Sequence, residues 1–174
     1  MIRLRHNPSL PLKELYDPAP RILFFRTVCP AAEGKGLFLS EPDFQAYFRI
    51  LKRYKDRLGI RIFGFCLMSD HVQLVVQPES TQMIASFLNG VNHEYAVYFN
   101  SRYGEIGRLF GHHKLVPVET LAALFDHIKY VESEPVRANI VRSPVEYSYS
   151  SCFYRVLNER NLILDPLSAL EGFL

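Results

Sequence analysis

Hydrophobic and polar residues follow two different periods along this chain, and the order of the periods predicts its architecture. Runs rich in β-branched and aromatic residues predict four strands, over Arg21–Cys29, Ile60–Met68, Val72–Val76 and Leu115–Val118. Longer segments, the first with apolar residues at three- and four-residue spacing, predict three helices, over Ser40–Leu58, Thr81–Tyr103 and Thr120–Ser133. This order predicts an α+β fold of the ferredoxin-like split βαβ type, an antiparallel sheet with helices packed on one face.

Residues that favour helix ends set the limits of these elements. Ser40 and Thr120 are favoured N-caps, and Gly59 follows the first helix as a residue that readily ends helices. The third helix is expected to end at Pro135, because the residue before a proline is disfavoured in the helical conformation.

The length of 174 residues suits one globular domain with short extensions. Four prolines within residues 1–20 predict an extended N-terminal lead-in. Residues 21–154 carry the predicted strands and helices, and residues 155–174 form a C-terminal tail with room for one more short helix.

The most informative segment is a polar pair inside an apolar run, Leu67-Met68-Ser69-Asp70-His71-Val72-Gln73-Leu74-Val75-Val76. Side chains of a strand alternate between its faces, so His71 and Gln73 share one face and Val72 enters a core on the other. Buried polar groups are costly unless they have partners. A divalent cation is one partner that explains the pair. An ordinary strand histidine beside a solvent-facing Gln73 is the other interpretation.

Tyr130 and Glu134 lie four residues apart at the predicted third helix, a spacing that places both on one face. If that face packs near His71 and Gln73, an imidazole, a carboxamide and a carboxylate form a ligand set suited to Mg²⁺ or Mn²⁺. The Tyr130 phenol would then be a nucleophile beside the metal. Core packing of Tyr130 and a solvated, helix-end Glu134 are the alternatives.

Composition indicates the cellular environment in which we expect the protein, but it does not identify a partner. The formal net charge is +2 and the pI about 8.4, which gives only weak support for nucleic acid. The three cysteines show no metal-ligand spacing, and Cys29 and Cys66 are expected to be buried thiols in a reducing cytoplasm. No segment is long and apolar enough to cross a bilayer, so we expect no membrane partner.

Two segments resemble motifs of the HUH single-tyrosine transposases. Leu67–Gln73 resembles the family's Met-Pro-Asn/Asp-His-hydrophobic-His segment. Tyr130–Val141 resembles the Tyr-Ile-x-x-Asn-Pro-Val-Arg-Ala-Gly-Leu-Val segment of the REP-associated tyrosine transposase branch. Shorter matches keep the same order, at Phe38–Leu58, Asn100–Gly104 and Glu146–Ser151. One motif alone is a weak signal, but the ordered set over residues 20–154 is specific.

The resemblance implies an enzyme that nicks and rejoins single-stranded DNA, often a folded hairpin, with a divalent metal. Tyr130 would attack the scissile phosphate and become linked to the DNA 5′ end, leaving a free 3′ hydroxyl. His71 would be a metal ligand, Gln73 stands where the family has its second histidine, and Glu134 stands at the third ligand position. Family members commonly work as dimers and some as monomers, so a homodimer is one expectation.

Two departures from the family pattern leave the activity open. Gln73 replaces a histidine, and Glu134 replaces an asparagine or glutamine. Gln73 still offers a carbonyl oxygen and Glu134 adds a negative charge, so the two changes together fit a harder metal site. They also fit a catalytically impaired DNA-binding regulatory protein derived from such an enzyme. A ferredoxin-like module with no nucleic-acid role is the third hypothesis.

Basic residues near the motifs are candidates for phosphate contacts, which would make binding salt-dependent. The predicted contacts are Lys114, Lys129, Arg137 and Arg142. The loop before the first of them, Gly107–Lys114, otherwise departs from the family pattern. A second basic group, Lys52–Arg61, is typical of a solvated helix face but could equally meet phosphates.

Overall fold

A four-stranded antiparallel sheet organises residues 24–173, the part of the chain that the computed structural model describes, with side chains up to residue 170. The strands are Phe24–Pro30 (β1), Arg61–Leu67 (β2), His71–Gln77 (β3) and Lys114–Val118 (β4). The helices are Glu41–Leu58 (α1), Thr81–Tyr103 (α2), Leu121–Glu132 (α3), Glu134–Arg137 (α4) and Ser151–Val156 (α5), and 3-10 turns cover Pro144–Glu146 and Leu167–Phe173. The predicted lead-in and the first residues of the predicted first strand lie outside the described residues.

The strand order confirms the ferredoxin-like prediction. The strands run β2-β3-β1-β4, and each neighbouring pair is antiparallel. The two βα units are therefore interleaved, with β3 between β2 and β1, as the split βαβ arrangement requires. Gln73 consequently lies in the interior of the sheet, opposite Val28 on one side and Cys66 on the other.

The prediction that all helices pack on one face of the sheet is wrong. Val72, Leu74 and Val76 of β3 face a core built with α1 and α2. On the opposite face, Val75 packs in a second core beneath α3, which contributes Ile128. The central strands are apolar on both faces, so each face needs a cover, and α3 provides the second one.

Local chemistry explains two of the predicted helix ends but not a third. Thr120 caps α3, because its hydroxyl accepts a hydrogen bond from the Ala123 N–H at 3.1 Å. Gly59 ends α1 in the left-handed conformation at φ 61°, which suits a residue without a Cβ. The third helix, predicted over Thr120–Ser133, ends at Glu132, but the prediction that Pro135 stops it is wrong: Pro135 lies in the first turn of α4, where a proline is tolerated.

The outer edge of β2 is covered by segments from the end of the chain. The Phe65 N–H donates to the Ser151 hydroxyl, and the Leu67 N–H donates to the Tyr149 carbonyl, both at 3.0 Å. The Ile62 N–H donates to the Asp165 carboxylate at 2.7 Å. Edge N–H groups left open would pair with other chains, so these contacts close one side of the sheet.

Cys29 and Cys66 are buried and unpaired, as predicted for structural thiols. Burial, partly offset by a hydrogen bond from Asn92, raises the pKa of Cys29 to about 11. No helix among the described residues has both the length and the apolar character to cross a membrane.

Asp43 connects the start of α1 to the end of α2. Its carboxylate is fully buried and accepts from the Ser40 N–H at 2.8 Å, the Leu39 N–H at 2.9 Å and the Tyr103 hydroxyl at 2.7 Å. Burial by itself would raise the pKa of Asp43, but these hydrogen bonds outweigh it and hold the pKa below its ordinary value. The ionised form is therefore the one that the fold stabilises.

Replacement of Asp43 by asparagine is expected to lower the free energy of unfolding by about 2–3 kcal/mol at neutral pH, because a carboxylate with several donors is lost. The loss should shrink below the ordinary aspartate pKa of about 3.9, as the pH falls through the lower pKa of the folded state. Urea denaturation across pH measures both effects. Asp56→Asn is the control, since Asp56 makes only an exposed contact with Lys52 on the same helix and should cost less than about 0.5 kcal/mol.

Candidate functional site

Strand β3 and the α3–α4 segment bring the predicted site residues together on the α3 face of the sheet. Gln73 Nε2 lies 2.9 Å from Glu134 Oε2 and 3.2 Å from His71 Nε2. His71 Nε2 and Glu134 Oε1 are 3.9 Å apart. The period-two argument for His71 and Gln73 therefore holds, and both side chains meet the carboxylate 61 residues later in the chain.

Arg26 of β1 decides which end of the Gln73 carboxamide faces the cluster. Arg26 Nη1 donates to Gln73 Oε1 at 3.0 Å. A guanidinium has donors only, so the atom that faces it must be the carbonyl oxygen, and the amide nitrogen must point toward Glu134 and His71. Gln73 is 4% exposed, so each of its polar atoms needs such a partner.

His71 is oriented by its neighbour in sequence. Its Nδ1 lies 2.7 Å from the Asp70 carboxylate. An Nδ1–H donor to Asp70 leaves the lone pair of Nε2 directed at the N–H of Gln73, so both contacts are satisfied by the neutral imidazole. The same tautomer is the one that ligates a metal through Nε2.

Tyr130 lies at the surface between two guanidinium groups. Its side chain is 47% exposed, with Arg137 Cζ 3.9 Å and Arg26 Cζ 4.9 Å from the ring centroid. Arg26 also holds Gln73, and Arg137 forms an ion pair with Glu134. The phenol therefore shares both of its cationic neighbours with the polar cluster.

The four-residue spacing predicted that Tyr130 and Glu134 lie on one face of a single helix, but they do not. Tyr130 lies in α3 and Glu134 begins α4, with Ser133 between the two helices. The break is stabilised by Arg137, which donates to the Tyr130 carbonyl at 2.7 Å and to the Ser133 hydroxyl at 2.6 Å. Glu134 turns toward the sheet as a result, whereas Tyr130 faces solvent.

Arg26 is the site residue that the sequence analysis missed. A charged residue in the middle of the apolar run Phe24-Phe25-Arg26-Thr27-Val28 was the available signal, since a charge on an interior strand needs a partner. Its partner could not be inferred locally, because Gln73 is 47 residues away in the chain.

Charged residues of this cluster also shift the pKa values of two neighbouring side chains. Burial, followed by the positive charge of Arg26, lowers the pKa of His127 on α3, so this imidazole is neutral at pH 7. Burial, followed by the negative charge of Glu134, raises the pKa of Cys66, so this thiol stays protonated.

The donor types of this cluster fit a hard divalent cation on one condition, that Gln73 presents its carbonyl oxygen. The two lone-pair donors that face each other, His71 Nε2 and Glu134 Oε1, are 3.9 Å apart, whereas adjacent ligands of an octahedral Mg²⁺ ion at ~2.1 Å lie about 3 Å apart, so these side chains would have to move closer together around an ion. Among the described residues no three His, Cys, Asp or Glu side chains are grouped to hold a metal. A three-ligand site here therefore requires the Gln73 carbonyl oxygen, which Arg26 now occupies.

The four predicted phosphate-contacting residues differ in the contacts that they already make within the protein. Lys114, Lys129 and Arg142 are exposed. Arg137 is engaged with Glu134, Ser133 and the Tyr130 backbone. In the group Lys52–Arg61, by contrast, several cations are paired: Lys52 with Asp56, Arg53 with Glu94 and Lys55 with Asp165. The surface beside Tyr130 is thus the better candidate for phosphates.

Comparison with known proteins places the chain in a family. A sequence profile of the family described as "Transposase IS200 like" matches residues 27–115, just over half of the chain. The chain belongs to this IS200-like transposase family. The matched region contains His71 and Gln73 and ends before α3. No curated protein sequence matches the chain.

Two solved transposase structures are similar to this one. A REP-associated tyrosine transposase bound to a REP hairpin covers 95% of this chain and 92% of its own, with a TM-score of 0.65 and 11% sequence identity. A proposed transposase from Deinococcus radiodurans R1 covers 78% of this chain and 90% of its own, with a TM-score of 0.44 and 15% identity. The transposase family and the α+β fold predicted from the sequence are confirmed by the family match and the first of these structures. Family membership indicates a transposase-like function on DNA.

The Gln73 network is expected to contribute measurably to stability. Gln73→Leu should lower the free energy of unfolding by about 2–3 kcal/mol, because Arg26 and Glu134 lose a buried partner. Gln77→Leu on the same strand is the control: Gln77 is 8% exposed and its Oε1 has no hydrogen-bond partner. That change should be within about 0.5 kcal/mol of the parent or stabilising. Urea denaturation compares them, and equal losses would show that the Gln73 contacts add nothing specific.

Proposed function

We propose that this protein nicks and rejoins single-stranded or hairpin DNA through a covalent bond between Tyr130 and a DNA 5′ phosphate. The observation that carries the proposal is the exposed Tyr130 phenol, whose two neighbouring guanidiniums, Arg26 and Arg137, also contact Gln73 and Glu134. The IS200-like family supports an action on DNA, and the REP hairpin bound to the structural relative supports a folded single strand as substrate.

The reaction is a phosphoryl transfer in which one phosphodiester bond replaces another. The Tyr130 oxygen forms a bond to phosphorus, the phenol proton leaves, and the 3′ oxygen of the preceding nucleotide departs and takes up a proton. The reverse attack by a 3′ hydroxyl restores the DNA strand and frees Tyr130. Arg26 and Arg137 lie against the ring, where their charges stabilise the additional negative charge of the transition state.

His71, Gln73 and Glu134 are the residues that would hold a divalent cation, Mg²⁺ or Mn²⁺ by their nitrogen and oxygen donors. When bound, such a cation polarises a phosphoryl oxygen of the substrate. The chain itself orients His71 through Asp70 and holds Glu134 through Arg137. These supporting contacts fix the donor atoms in the absence of a ligand.

The exposed cations near Tyr130 are the proposed track for the DNA backbone. Lys129 precedes the nucleophile on α3, Lys114 begins the edge strand β4, and Arg142 follows α4. Arg137 is placed for the scissile phosphate itself, since it lies over the phenol ring. A homodimer, as expected from the family resemblance, stays a prediction.

A second function is favoured by one observation, the hydrogen bond of Arg26 to the Gln73 carbonyl oxygen. A site locked in that arrangement lacks its third metal ligand and would bind hairpin DNA without cutting it. This regulatory role predicts hairpin binding that is insensitive both to Tyr130→Phe and to chelation. A Gln73→His variant that gains cutting activity would support it.

Tyr130→Phe should abolish a covalent protein–DNA adduct, because phenylalanine has no hydroxyl to attack phosphorus. The assay uses hairpin-bearing single strands labelled at either end, with Mn²⁺ or Mg²⁺, on a denaturing gel. A 3′ label should migrate with the protein and a 5′ label with a shorter, free strand. Tyr154→Phe is the control, because Tyr154 packs in the core on the opposite face of the sheet and should leave the adduct intact.

The opposite labelling pattern would overturn the assigned polarity. Absence of any adduct with either metal, in a protein that binds the hairpin, would instead leave the regulatory function as the better account.

Lys129→Ala should weaken hairpin binding and reduce the slope of log affinity against log salt by about one, as expected for one lost phosphate contact. Lys52→Ala removes the same charge from α1, where Lys52 is paired with Asp56. Its affinity and slope should match those of the parent protein. Fluorescence anisotropy over a salt series measures both quantities. Equal effects of the two variants would show that DNA responds to net charge only.

A further inference from the structure

We infer that Arg26 regulates metal loading of the site by competing with the cation for the Gln73 carbonyl oxygen. The inference rests on the proposed metal site and concerns its control. Arg26 Nη1 lies 3.0 Å from Gln73 Oε1, so the one oxygen that Gln73 has to offer already has a cationic partner. This oxygen is directed at Arg26, and the nitrogen of the same carboxamide faces His71 and Glu134. A cation bound by His71 and Glu134 can reach the oxygen only if the carboxamide turns over and the bond to Arg26 breaks.

The backbone holds Arg26 in reach of this oxygen. Arg26 pairs in register with Val75 of β3, and Gln73 pairs with Val28 of β1, so the two side chains are diagonal neighbours across adjacent strands. Diagonal neighbours lie within reach of long side chains. Both strands are paired on both sides, so a backbone shift of either residue would break hydrogen bonds of the sheet. Rotation of the two side chains avoids that cost.

The present arrangement places the wrong end of Gln73 toward the ligand cluster. Its Nε2 group donates to Glu134 at 2.9 Å and lies 3.2 Å from His71 Nε2. An amide N–H carries no lone pair for a cation, so the carboxamide has to turn over before three ligands are available. The bond to Arg26 opposes that rotation directly.

Arg26 also has an unused donor. Its Nε is buried and makes no hydrogen bond, although the guanidinium lies 4.9 Å from the Tyr130 ring centroid. An unpartnered buried N–H on a cation is costly, and a DNA phosphate oxygen is an acceptor of suitable charge. Arg26 is thus a positioning residue that acts on the metal through Gln73 and stands beside the proposed nucleophile.

The test measures Mn²⁺ affinity without DNA, by electron paramagnetic resonance or calorimetry, so it is independent of strand cutting. Arg26→Met should tighten Mn²⁺ binding about tenfold, the effect of one hydrogen bond to a charged group. The same change in a Gln73→His background should alter affinity less than about twofold, because histidine has no carbonyl for Arg26 to hold. Lys52→Met, which removes a charge from α1 on the opposite face of the sheet, is the control and should leave the affinity within about twofold.

Equal tightening by Arg26→Met in both backgrounds would overturn the inference in favour of charge repulsion, and an unchanged or weaker affinity would overturn it outright. Far-ultraviolet circular dichroism checks folding, and Arg26→Gln repeats the measurement if the methionine variant is unfolded. Absence of Mn²⁺ binding in every variant would refute the metal site and the inference with it. Loss of the Tyr130 adduct alone, with Mn²⁺ binding intact, would refute only the nicking proposal.

Discussion

The hydrogen bonds of the Gln73 carboxamide join three separate parts of the chain into one site. Its oxygen accepts from Arg26 of β1, and its nitrogen faces His71 of β3 and Glu134 of α4. The group is almost fully buried, so an unmade contact would cost the full desolvation of a polar atom. The position of Glu134 and the guanidinium beside Tyr130 therefore both depend on a single neutral side chain.

That carboxamide lies where it does because the sheet is covered on both faces. Helices α1 and α2 bury one face, and α3 buries the other through Leu124, Ile128 and Val131. Gly64 of β2 has no side chain, and Ile128 lies 3.4 Å from the position that a Cβ would take there. The close approach of α3 to the strands brings the start of α4 above β3, within hydrogen-bond distance of Gln73.

Positive and negative side chains are balanced at this site, so it is not a purely acidic pocket. Arg26 and Arg137 oppose Glu134 and Asp70, and the His71 imidazole and the Gln73 carboxamide lie between them. Each of these charged groups has a partner of opposite sign or a polar group directed at it without any bound ligand. The site also contains cations suited to a phosphate and oxygen donors suited to a metal, and a metal that uses the Gln73 oxygen has to displace the contact with Arg26.

The local pattern of residues along the chain was sufficient to predict much of the secondary structure and several site residues. The period of two placed His71 and Gln73 on one face and Val72 in a core, and the element order predicted the ferredoxin-like antiparallel sheet. Helix caps such as Thr120 were also readable, since they involve groups within three residues. The motifs around Tyr130 and His71 indicated the family through residue type and order alone.

Contacts between distant residues were decided by the tertiary structure alone. The face covered by α3, the separation of Tyr130 from Glu134 by a helix break, and the bond between Arg26 and Gln73 all depend on such contacts. Sequence periodicity records which face of an element is apolar, but it does not record which other element that face meets. For that physical reason the amino-acid sequence determined the strands, the helices and the candidate chemistry, and only packing decided which partner holds the Gln73 oxygen.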